Sequence, residues 1–155
     1  MKKTILLLFT AVIMSNAACA QKISADKVPA AVTSAFKTKF PTATKPIWEM
    51  ENKIEFEVNF KRNDEDVSAN FDNKGKWLET ETKIGVSALP PAIQSTLKKE
   101  FAGFKLNEAS KIERIKNGNY YEAEIEKDEE AFDVLLSAEG RVVTKTKLKE
   151  KEKKD

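Results

Sequence analysis

The chain has 155 residues, with 27 basic and 25 acidic side chains, no histidine and one cysteine. The lack of histidine excludes Ser-His-Asp and Cys-His catalysis, and it also excludes histidine-based zinc sites. The five glycines stand isolated, so neither a Walker-type nor a dinucleotide-binding glycine loop is present. Length and composition favour one ordinary domain, or two small abutting units, without a cofactor.

The N-terminal segment has the layout of a secretory signal peptide. Two lysines precede an apolar run from Ile5 to Met14, and small residues follow through Ala18-Cys19-Ala20. The apolar run is too short to span a bilayer. We therefore predict a signal peptide at residues 1–20, cleavage before Gln21, and a periplasmic or secreted protein without a transmembrane segment.

A lipoprotein signal, in which Cys19 is acylated and retained, is the alternative. Asn16 stands three positions before Cys19, where such a signal has leucine or a similar apolar residue, so cleavage after Ala20 is favoured. Removal of residues 1–20 takes away two lysines and no acid, which leaves 25 basic and 25 acidic side chains. The resulting net charge of zero argues against a nucleic-acid partner, and loss of the only cysteine excludes a disulfide.

The main internal feature is a sequence repeat, which pairs Val28–Phe40 with Leu89–Phe101. Large apolar residues recur every four positions in both copies: Val28, Val32, Phe36 and Phe40 in the first, and Leu89, Ile93, Leu97 and Phe101 in the second. This spacing predicts a helix with one apolar stripe. Pro29 and Pro90 occupy matching positions near the predicted helix starts.

Short alternating segments follow each helix and predict four strands per repeat. In the first repeat these are Lys45–Met50, Ile54–Phe60, Val67–Phe71 and Lys76–Ile84, and in the second Lys111–Ile115, Tyr121–Ile125, Phe132–Leu136 and Val142–Leu148. Turns are predicted at Asn117-Gly118 and at the matching glycines Gly75 and Gly140, which tolerate a positive φ. The offset between the repeats is 61 residues at the helices and 65 at these glycines, so the second repeat has gained four residues.

The fold class that these elements predict is α+β. A helix with one apolar stripe and a hairpin sheet with one apolar face bury each other. Each repeat is therefore expected to be a helix packed on a four-stranded antiparallel sheet whose other face is polar. The short junction from Ile84 to Leu89 is expected to hold the units together with shared packing. The predicted domains are repeats at 21–84 and 85–148, followed by a charged tail at 149–155.

The order of the motifs resembles a known family. Both repeats open with the pattern V/L-P-x-A-V/I-x-x-x-F/L-x-x-x-F, and the first continues with Ile47-Trp48-Glu49, an E-F-E-V strand and F-D-N-K-G-K-W-L. From Ile23 to Leu148 the chain is similar to the bacterial PepSY-like family, which is also described as β-lactamase-inhibitor-like. The resemblance implies an exported protein with a tandem α+β sheet like that of the β-lactamase inhibitory protein, and no catalytic residues. The chain lacks the disulfides of that inhibitor, which argues against inhibition of a β-lactamase.

Carboxylates are the abundant reactive groups of the sequence. Glu55 and Glu57 share one face of a predicted strand, and Glu122 and Glu124 share one face of another. Two carboxylates on neighbouring strands would be within reach for a glycosidase mechanism. The simpler interpretation is the solvated outer face of an amphipathic sheet.

Two acidic turns, at Asn63–Asp66 and Lys127–Glu130, are possible weak calcium sites. Neither has the Asp-x-Asp-x-Asp-Gly spacing of a strong calcium loop, so hairpin turns are the favoured interpretation. We predict no metal site and no cofactor.

Three aromatic residues are candidates for a recognition patch: Trp48, Trp77 and Tyr120. Tyr120 has the strand parity of Glu122 and Glu124, which places it on the predicted polar face. An aromatic side chain beside carboxylates suits a binding surface. Packing against a helix or against the other unit is the competing interpretation for each tryptophan.

These features predict a non-enzymatic, exported binding or inhibitor-like module that meets a protein or peptide partner through the exposed face of the sheet. The candidate binding residues are Trp48, Trp77, Tyr120, Glu55, Glu57, Glu122 and Glu124. Two alternatives stay open. One is a carboxylate-dependent envelope enzyme such as a carbohydrate-active protein, and the other is a structural periplasmic protein without a specific ligand.

Overall fold

The structure of the protein is a computed structural model that describes residues 21–115 and 118–148. The predicted signal peptide, Asn117 of the predicted turn and the predicted tail lie outside the described residues. The elements follow in the order β1 (Gln21–Ile23), α1 (Ala30–Lys39), β2 (Thr44–Asn52), β3 (Glu55–Arg62), β4 (Glu65–Asp72), β5 (Trp77–Ile84), α2 (Pro91–Glu100), β6 (Lys105–Arg114), β7 (Gly118–Lys127), β8 (Glu130–Ser137) and β9 (Val142–Lys147). A short 3-10 turn precedes each helix, at Ala25–Lys27 and Val86–Ala88.

Each helix forms where the four-residue spacing predicts it. Pro29 and Pro90 are the N-cap residues, and their carbonyls accept the first backbone hydrogen bonds of α1 and α2. The buried residues lie four positions apart: Val32 and Phe36 in α1, and Ile93 and Leu97 in α2. Neither helix in the described ranges has the length and hydropathy needed to cross a bilayer.

The nine strands within the described residues form one antiparallel sheet in chain order, from β1 to β9. The prediction gives each repeat a four-stranded sheet of its own, but the strands of both repeats belong to one sheet, because β5 pairs with β6. Thr82 lies opposite Lys111, and Ile84 lies opposite Ala109. Separate sheets would leave the N–H and C=O groups of two more edge strands unpaired, and this pairing satisfies them. The coarser prediction of an α+β protein with a mainly antiparallel sheet is confirmed.

The sequence does not predict strand β1, because its three residues are too few to show an alternation. In β1, Ile23 is the cross-strand partner of Trp48, and in β5, Ile84 is the partner of Ala109. Ile84 lies 61 positions after Ile23, and Ala109 lies 61 positions after Trp48. This is the offset of the helices. Strand β5 therefore closes the first repeat and opens the second.

Strand β6 begins at Lys105, six residues before the predicted start at Lys111. A register shift between Leu106 and Glu108 interrupts the alternation of side chains in its first half. The sequence pattern becomes regular only after this irregularity. The prediction therefore found only the second half of the strand.

Both helices pack on the same face of the sheet, where the buried side chains form two clusters. The first cluster consists of Val28, Val32, Phe36, Phe40, Trp48, Phe56, Val58, Phe60, Val67, Ala69 and Phe71. The second consists of Leu89, Ile93, Leu97, Ala109, Ala123, Ile125, Val134 and Leu136. Ile84 packs with Leu89 in the second cluster, so the junction does not form a core that both repeats share. Backbone pairing between β5 and β6 joins the repeats instead.

Two glycines bring the turns β4–β5 and β8–β9 close to the helices. Gly75 and Gly140 have φ angles of +82° and +83°. A Cβ would lie 2.5 Å from the carbonyl oxygen of Ala31 at the first position and 2.7 Å from that of Ala92 at the second. Glycine is needed at both turns for its backbone conformation and for the close approach of the helix.

Candidate functional site

The face of the sheet opposite the helices, called the open face below, carries the side chains that alternate with the core residues. One row across it consists of the cross-strand partners Asn59, Ser68, Glu81, Ile112, Tyr120 and Ser137. Two shorter rows consist of Ser110, Glu122, Leu135 and Thr144, and of Glu108, Glu124, Asp133 and Thr146. The register therefore gathers acidic side chains from β5 to β8 on one surface.

Five of the predicted candidates lie on the open face: Glu55, Glu57, Tyr120, Glu122 and Glu124. They form two groups, because β3 and β7 are four strands apart, about 19 Å at ordinary strand spacing. Glu55 is held at the β2–β3 hairpin, where its Oε2 accepts a hydrogen bond from Nδ2 of Asn52 at 2.6 Å. The structure thus does not bring all five residues into one site.

Trp48 lies on the helix side of the sheet, within the first core cluster. It is 4% exposed, and its ring packs edge to face against Phe36 with 5.3 Å between the ring centroids. Its cross-strand partner is Val58, another core residue, so the alternation of β2 directs the indole toward α1. Trp48 is therefore wrong as a binding candidate, and its role is to fill the core.

Trp77 also lies on the helix side and is half-buried. Nζ of Lys39 lies 3.8 Å from the centre of its ring, and the indole Nε1 donates a hydrogen bond to Oγ1 of Thr80 at 2.9 Å. Its cross-strand partner is the core residue Phe71. Trp77 therefore covers the edge of the first core cluster and is not part of the open face.

Tyr120 is positioned by an ion pair that the sequence does not predict. Arg114 donates from Nε to Oε2 of Glu79 at 2.8 Å, and its guanidinium carbon lies 5.4 Å from the centre of the Tyr120 ring. The two charged side chains are 19% and 32% exposed, so the pair is partly shielded from water. Contact with the guanidinium restricts the orientation of the tyrosine ring.

Strands β5 to β8 bring four carboxylates together: Glu81, Glu122, Glu124 and Asp133. Burial raises the pKa of Glu122 to about 7, and the charges of Glu81 and Asp133 add to the rise. Burial also raises the pKa of Asp133 to about 6, with further contributions from Glu124 and Glu81. Within the described part of the chain, no salt bridge reaches any of the four.

The burial of Glu122 follows from apolar residues that the predicted polar face does not include. Ile112 and Leu135 point to the open face, yet they are only 3% and 6% exposed. Longer side chains on the same face therefore cover them. Glu122 lies directly across from Leu135, and this apolar neighbour removes water from one side of its carboxylate.

Glu57 belongs to a second acidic group, near the β2–β3 hairpin. Its cross-strand partner is Glu49. Burial raises the pKa of Glu57 to about 7, and a hydrogen bond with Glu51 and the charges of Glu51 and Glu49 act in the same direction. These carboxylates repel one another unless a proton or another cation lies between them.

A depression of about 440 Å³ lies on the open face between the two acidic groups. Its lining carries charges of both signs, and Lys61 pairs with Asp66 at 2.7 Å and Lys83 with Glu108 at 2.8 Å. Within residues 21–115 and 118–148, no cluster of three or more acidic, cysteine or histidine side chains has an arrangement that could hold a metal ion.

The family model described as "Putative beta-lactamase-inhibitor-like, PepSY-like" matches residues 15–68 and 54–144. Together the two matched segments span most of the chain. The protein belongs to the PepSY-like family. The resemblance that the sequence motifs carry is thereby confirmed. No curated protein matches this PepSY-like chain.

Solved structures share the fold of this PepSY-like protein at low sequence identity. A DUF2874 family protein from Bacteroides uniformis is 20% identical, with a TM-score of 0.72 over 77% of this chain and 88% of its own. A BLIP-like protein from Bacteroides fragilis is 19% identical, with a TM-score of 0.69 over 82% of this chain and 92% of its own. A protein from Bacteroides eggerthii described as "putative periplasmic" is 18% identical, with a TM-score of 0.72 over 77% and 88%. At these identities the likeness establishes the fold alone.

Four charged residues of the ion pair and the acidic group on the PepSY-like open face are not among the sequence candidates: Glu79, Glu81, Arg114 and Asp133. In β5, Glu79 and Glu81 alternate with Thr80 and Thr82, and this alternation predicts that the two glutamates share one face of the strand. Asp133 is the one acid in the otherwise apolar segment Ala131–Leu136, which is also a readable signal. Arg114 carries none, since its partner lies 35 positions away in the chain.

Proposed function

We propose that this PepSY-like protein is a non-enzymatic binding module of the cell envelope whose open face binds a basic protein or peptide. The observation that carries the proposal is the group formed by Glu81, Glu122, Glu124 and Asp133, which has no ion pair within the described residues. The two core clusters pack on the opposite face and do not include this group. Burial and the charges of neighbouring carboxylates raise the pKa values of Glu122 and Asp133, and a cation that comes between these groups relieves the repulsion.

The arrangement around Tyr120 supports a protein or peptide as the partner. A tyrosine held by Arg114 presents a rigid apolar surface with a polar tip, which is typical of interface anchors. On the same face, Glu122 follows Tyr120 by two residues in β7, and Asp133 lies across from Glu124 in β8. A lysine or arginine of the partner would contact these carboxylates while a neighbouring side chain packs on the tyrosine.

A carboxylate-dependent enzyme is the second candidate, and the pKa of about 7 for Glu122 is the observation that favours it. A carboxyl group with a raised pKa beside one that stays ionised is the acid and base arrangement of glycosidases. The two candidates differ in their response to Glu122→Gln. An enzyme would lose turnover and still bind its substrate, whereas a binding module would lose affinity.

Export is part of the proposal. It comprises a signal peptide at residues 1–20 and release of a chain that begins at Gln21, and it is supported by family membership and by the relative described as "putative periplasmic". Mass spectrometry of the protein recovered from the envelope or the medium should give a mass that starts at Gln21. A diacylated Cys19 would place the protein on a membrane, and an intact Met1 would contradict export.

Capture from an envelope extract tests the binding proposal. The wild-type protein, a Tyr120→Ala variant and a Lys37→Ala control on the exposed side of α1 are immobilised in parallel, and retained proteins and peptides are identified by mass spectrometry. We expect the wild type and the control to retain a basic partner that Tyr120→Ala loses. Retention of nothing, or of the same set by all three folded proteins, would contradict the proposal.

A further inference from the structure

The second repeat has an apolar groove on the helix side of the sheet, away from the open face. The groove has a volume of about 630 Å³ and lies between α2, the turn that follows it and the start of β6. The large apolar residues of its lining are Val86, Leu97, Phe101, Phe104, Leu106 and Ile125. Among the described residues that line the groove, one is charged, and it is Lys98.

A comparison of the two repeats shows why there is space under α2. At equivalent positions, Leu97 replaces Phe36, Ile125 replaces Phe60, and Ala109 replaces Trp48. In the first repeat the Phe36 ring packs edge to face on Phe60 and on Trp48, at centroid distances of 5.1 and 5.3 Å. The second repeat lacks these rings, and two of the smaller replacements, Leu97 and Ile125, line the groove.

The residues around the groove are larger or more apolar than their equivalents in the first repeat. Val86, Phe104 and Leu106 stand where the first repeat has Ala25, Ala43 and Lys45. Val86 is 40% exposed. A large apolar side chain that is so exposed contributes little to folding. A core that was merely loose would not carry additional apolar residues at its rim. Unfilled space under α2 and apolar side chains around that space are together typical of a ligand site.

Lysine side chains border the groove. Lys98 lines it, and Nζ of Lys127 lies 3.8 Å from the point that a Cβ on the lining residue Gly103 would occupy. Neither Lys98 nor Lys127 forms a salt bridge within the described part of the chain. The positive rim complements a negatively charged ligand.

We propose that this groove is a binding site for a small aromatic anion, with its ring between Leu97 and Phe104 and its acidic group beside Lys98. An aromatic ring restores the edge-to-face contacts that the first repeat makes internally, and Phe101 and Phe104, at 6.2 Å and 87° to each other, supply the ring partners. The volume suits a fused two-ring compound. The site is separate from the open face, and it does not depend on the proposed function.

A fluorescence titration with 8-anilino-1-naphthalenesulfonate tests the proposal. The wild-type protein should bind this aromatic anion saturably at one site. Leu97→Phe, which installs the residue of the first repeat, should weaken binding about tenfold, because it fills the groove. Lys98→Glu should weaken binding by a similar factor, while Lys37→Glu, at the equivalent position of α1, should leave it unchanged.

The uncharged analogue N-phenyl-1-naphthylamine separates the apolar contribution from the charged one. Its binding should fall with Leu97→Phe and stay unchanged with Lys98→Glu. Chemical-shift changes in the wild-type protein provide a readout that does not depend on how the variants fold, and they should be largest at Val86, Leu97 and Leu106. Unsaturable fluorescence, shifts centred on the open face, or equal affinities of Lys98→Glu and Lys37→Glu would overturn the proposal. Capture by the open face is measured separately, so failure here leaves the proposed function intact.

Discussion

Arg114 donates a hydrogen bond to Glu79 across the junction of the two repeats, with 2.8 Å between Nε and Oε2. The two residues are cross-strand partners in β6 and β5, the strands that join the repeats into one sheet. Tyr120 lies beside the guanidinium on the next strand. The candidate site on the open face therefore depends on the same strand pairing that unites the two halves of the fold.

The first prediction concerns the charge of Arg114. Its guanidinium is the group that lowers the pKa of Glu122, against burial and three neighbouring carboxylates that raise it. Arg114→Gln should therefore move the pKa of Glu122 further above about 7. A carboxyl-carbon NMR titration measures this shift, with Arg141→Gln at an exposed turn as the control. An unchanged pKa in Arg114→Gln would mean that the guanidinium does not act on this group.

The second prediction is that the free energy of unfolding falls as the pH rises from about 5 to about 8. The pKa of Glu122 is about 7 in the folded state against an ordinary value of 4.5, and that of Asp133 is about 6 against 3.8. Between these values the folded state binds more protons than the unfolded state, so deprotonation destabilises the fold. Glu113, whose pKa is lowered, changes protonation below this window.

Glu122→Gln should remove part of this pH dependence, on the order of 1 to 3 kcal/mol between pH 5 and pH 8. Chemical denaturation at both pH values measures the effect. Glu65→Gln, on the exposed end of β4, should keep the wild-type slope. A wild-type protein whose stability rises over this range would show that the carboxylates are not buried as described.

The third prediction concerns the packing of the helices on the sheet. Phe36→Ala and Leu97→Ala each remove a buried side chain and should lower the free energy of unfolding by about 2 to 5 kcal/mol. Phe36→Ala should have the larger effect, because its ring contacts Phe60 and Trp48. Lys37→Ala on the exposed side of α1 should be nearly neutral in the same denaturation experiment. Equally mild effects of all three would contradict the packing of α1 on the sheet.

The fourth prediction separates backbone strain from steric contact at the turns. Gly75→Ala and Gly118→Ala both place a side chain on a backbone with positive φ, +82° and +78°. A Cβ at Gly75 would lie 2.5 Å from the carbonyl oxygen of Ala31, whereas at Gly118 no atom of the described residues beyond its chain neighbours lies within 4 Å of such a Cβ. Gly75→Ala should therefore lower the melting temperature more than Gly118→Ala does. Equal losses would mean that the turn does not press against α1.

The helices and most strands could be predicted because their signals are local. The spacing from Val32 to Phe36 and from Ile93 to Leu97 indicates the buried stripe without knowledge of the partner surface. The pairing of β5 with β6 has no such signal, since alternation shows which face a residue takes and not which strand lies beside it. Strand β1 was missed for a related reason, because only its pairing with β2 identifies it.

The candidate site also combines features that local sequence predicts with features that depend on strand pairing. The positions of Glu57, Glu122 and Glu124 on the open face follow from alternation alone, and so does that of Tyr120. Trp48 has a flanking glutamate on one side and an isoleucine on the other, so local pattern does not separate core from surface for it. The burial of Glu122 beside Leu135 depends on the register of two strands, which the sequence does not show.

The most direct test of the central claim is the affinity of the captured partner for a double variant, Glu122→Gln with Asp133→Asn. These changes keep the shape of the open face and remove two of its carboxylates. At pH 8 we expect the affinity to fall at least about tenfold and its dependence on salt to flatten, with no loss of folding stability. A partner that binds the double variant with wild-type affinity and wild-type salt dependence would contradict the claim that the open face binds it.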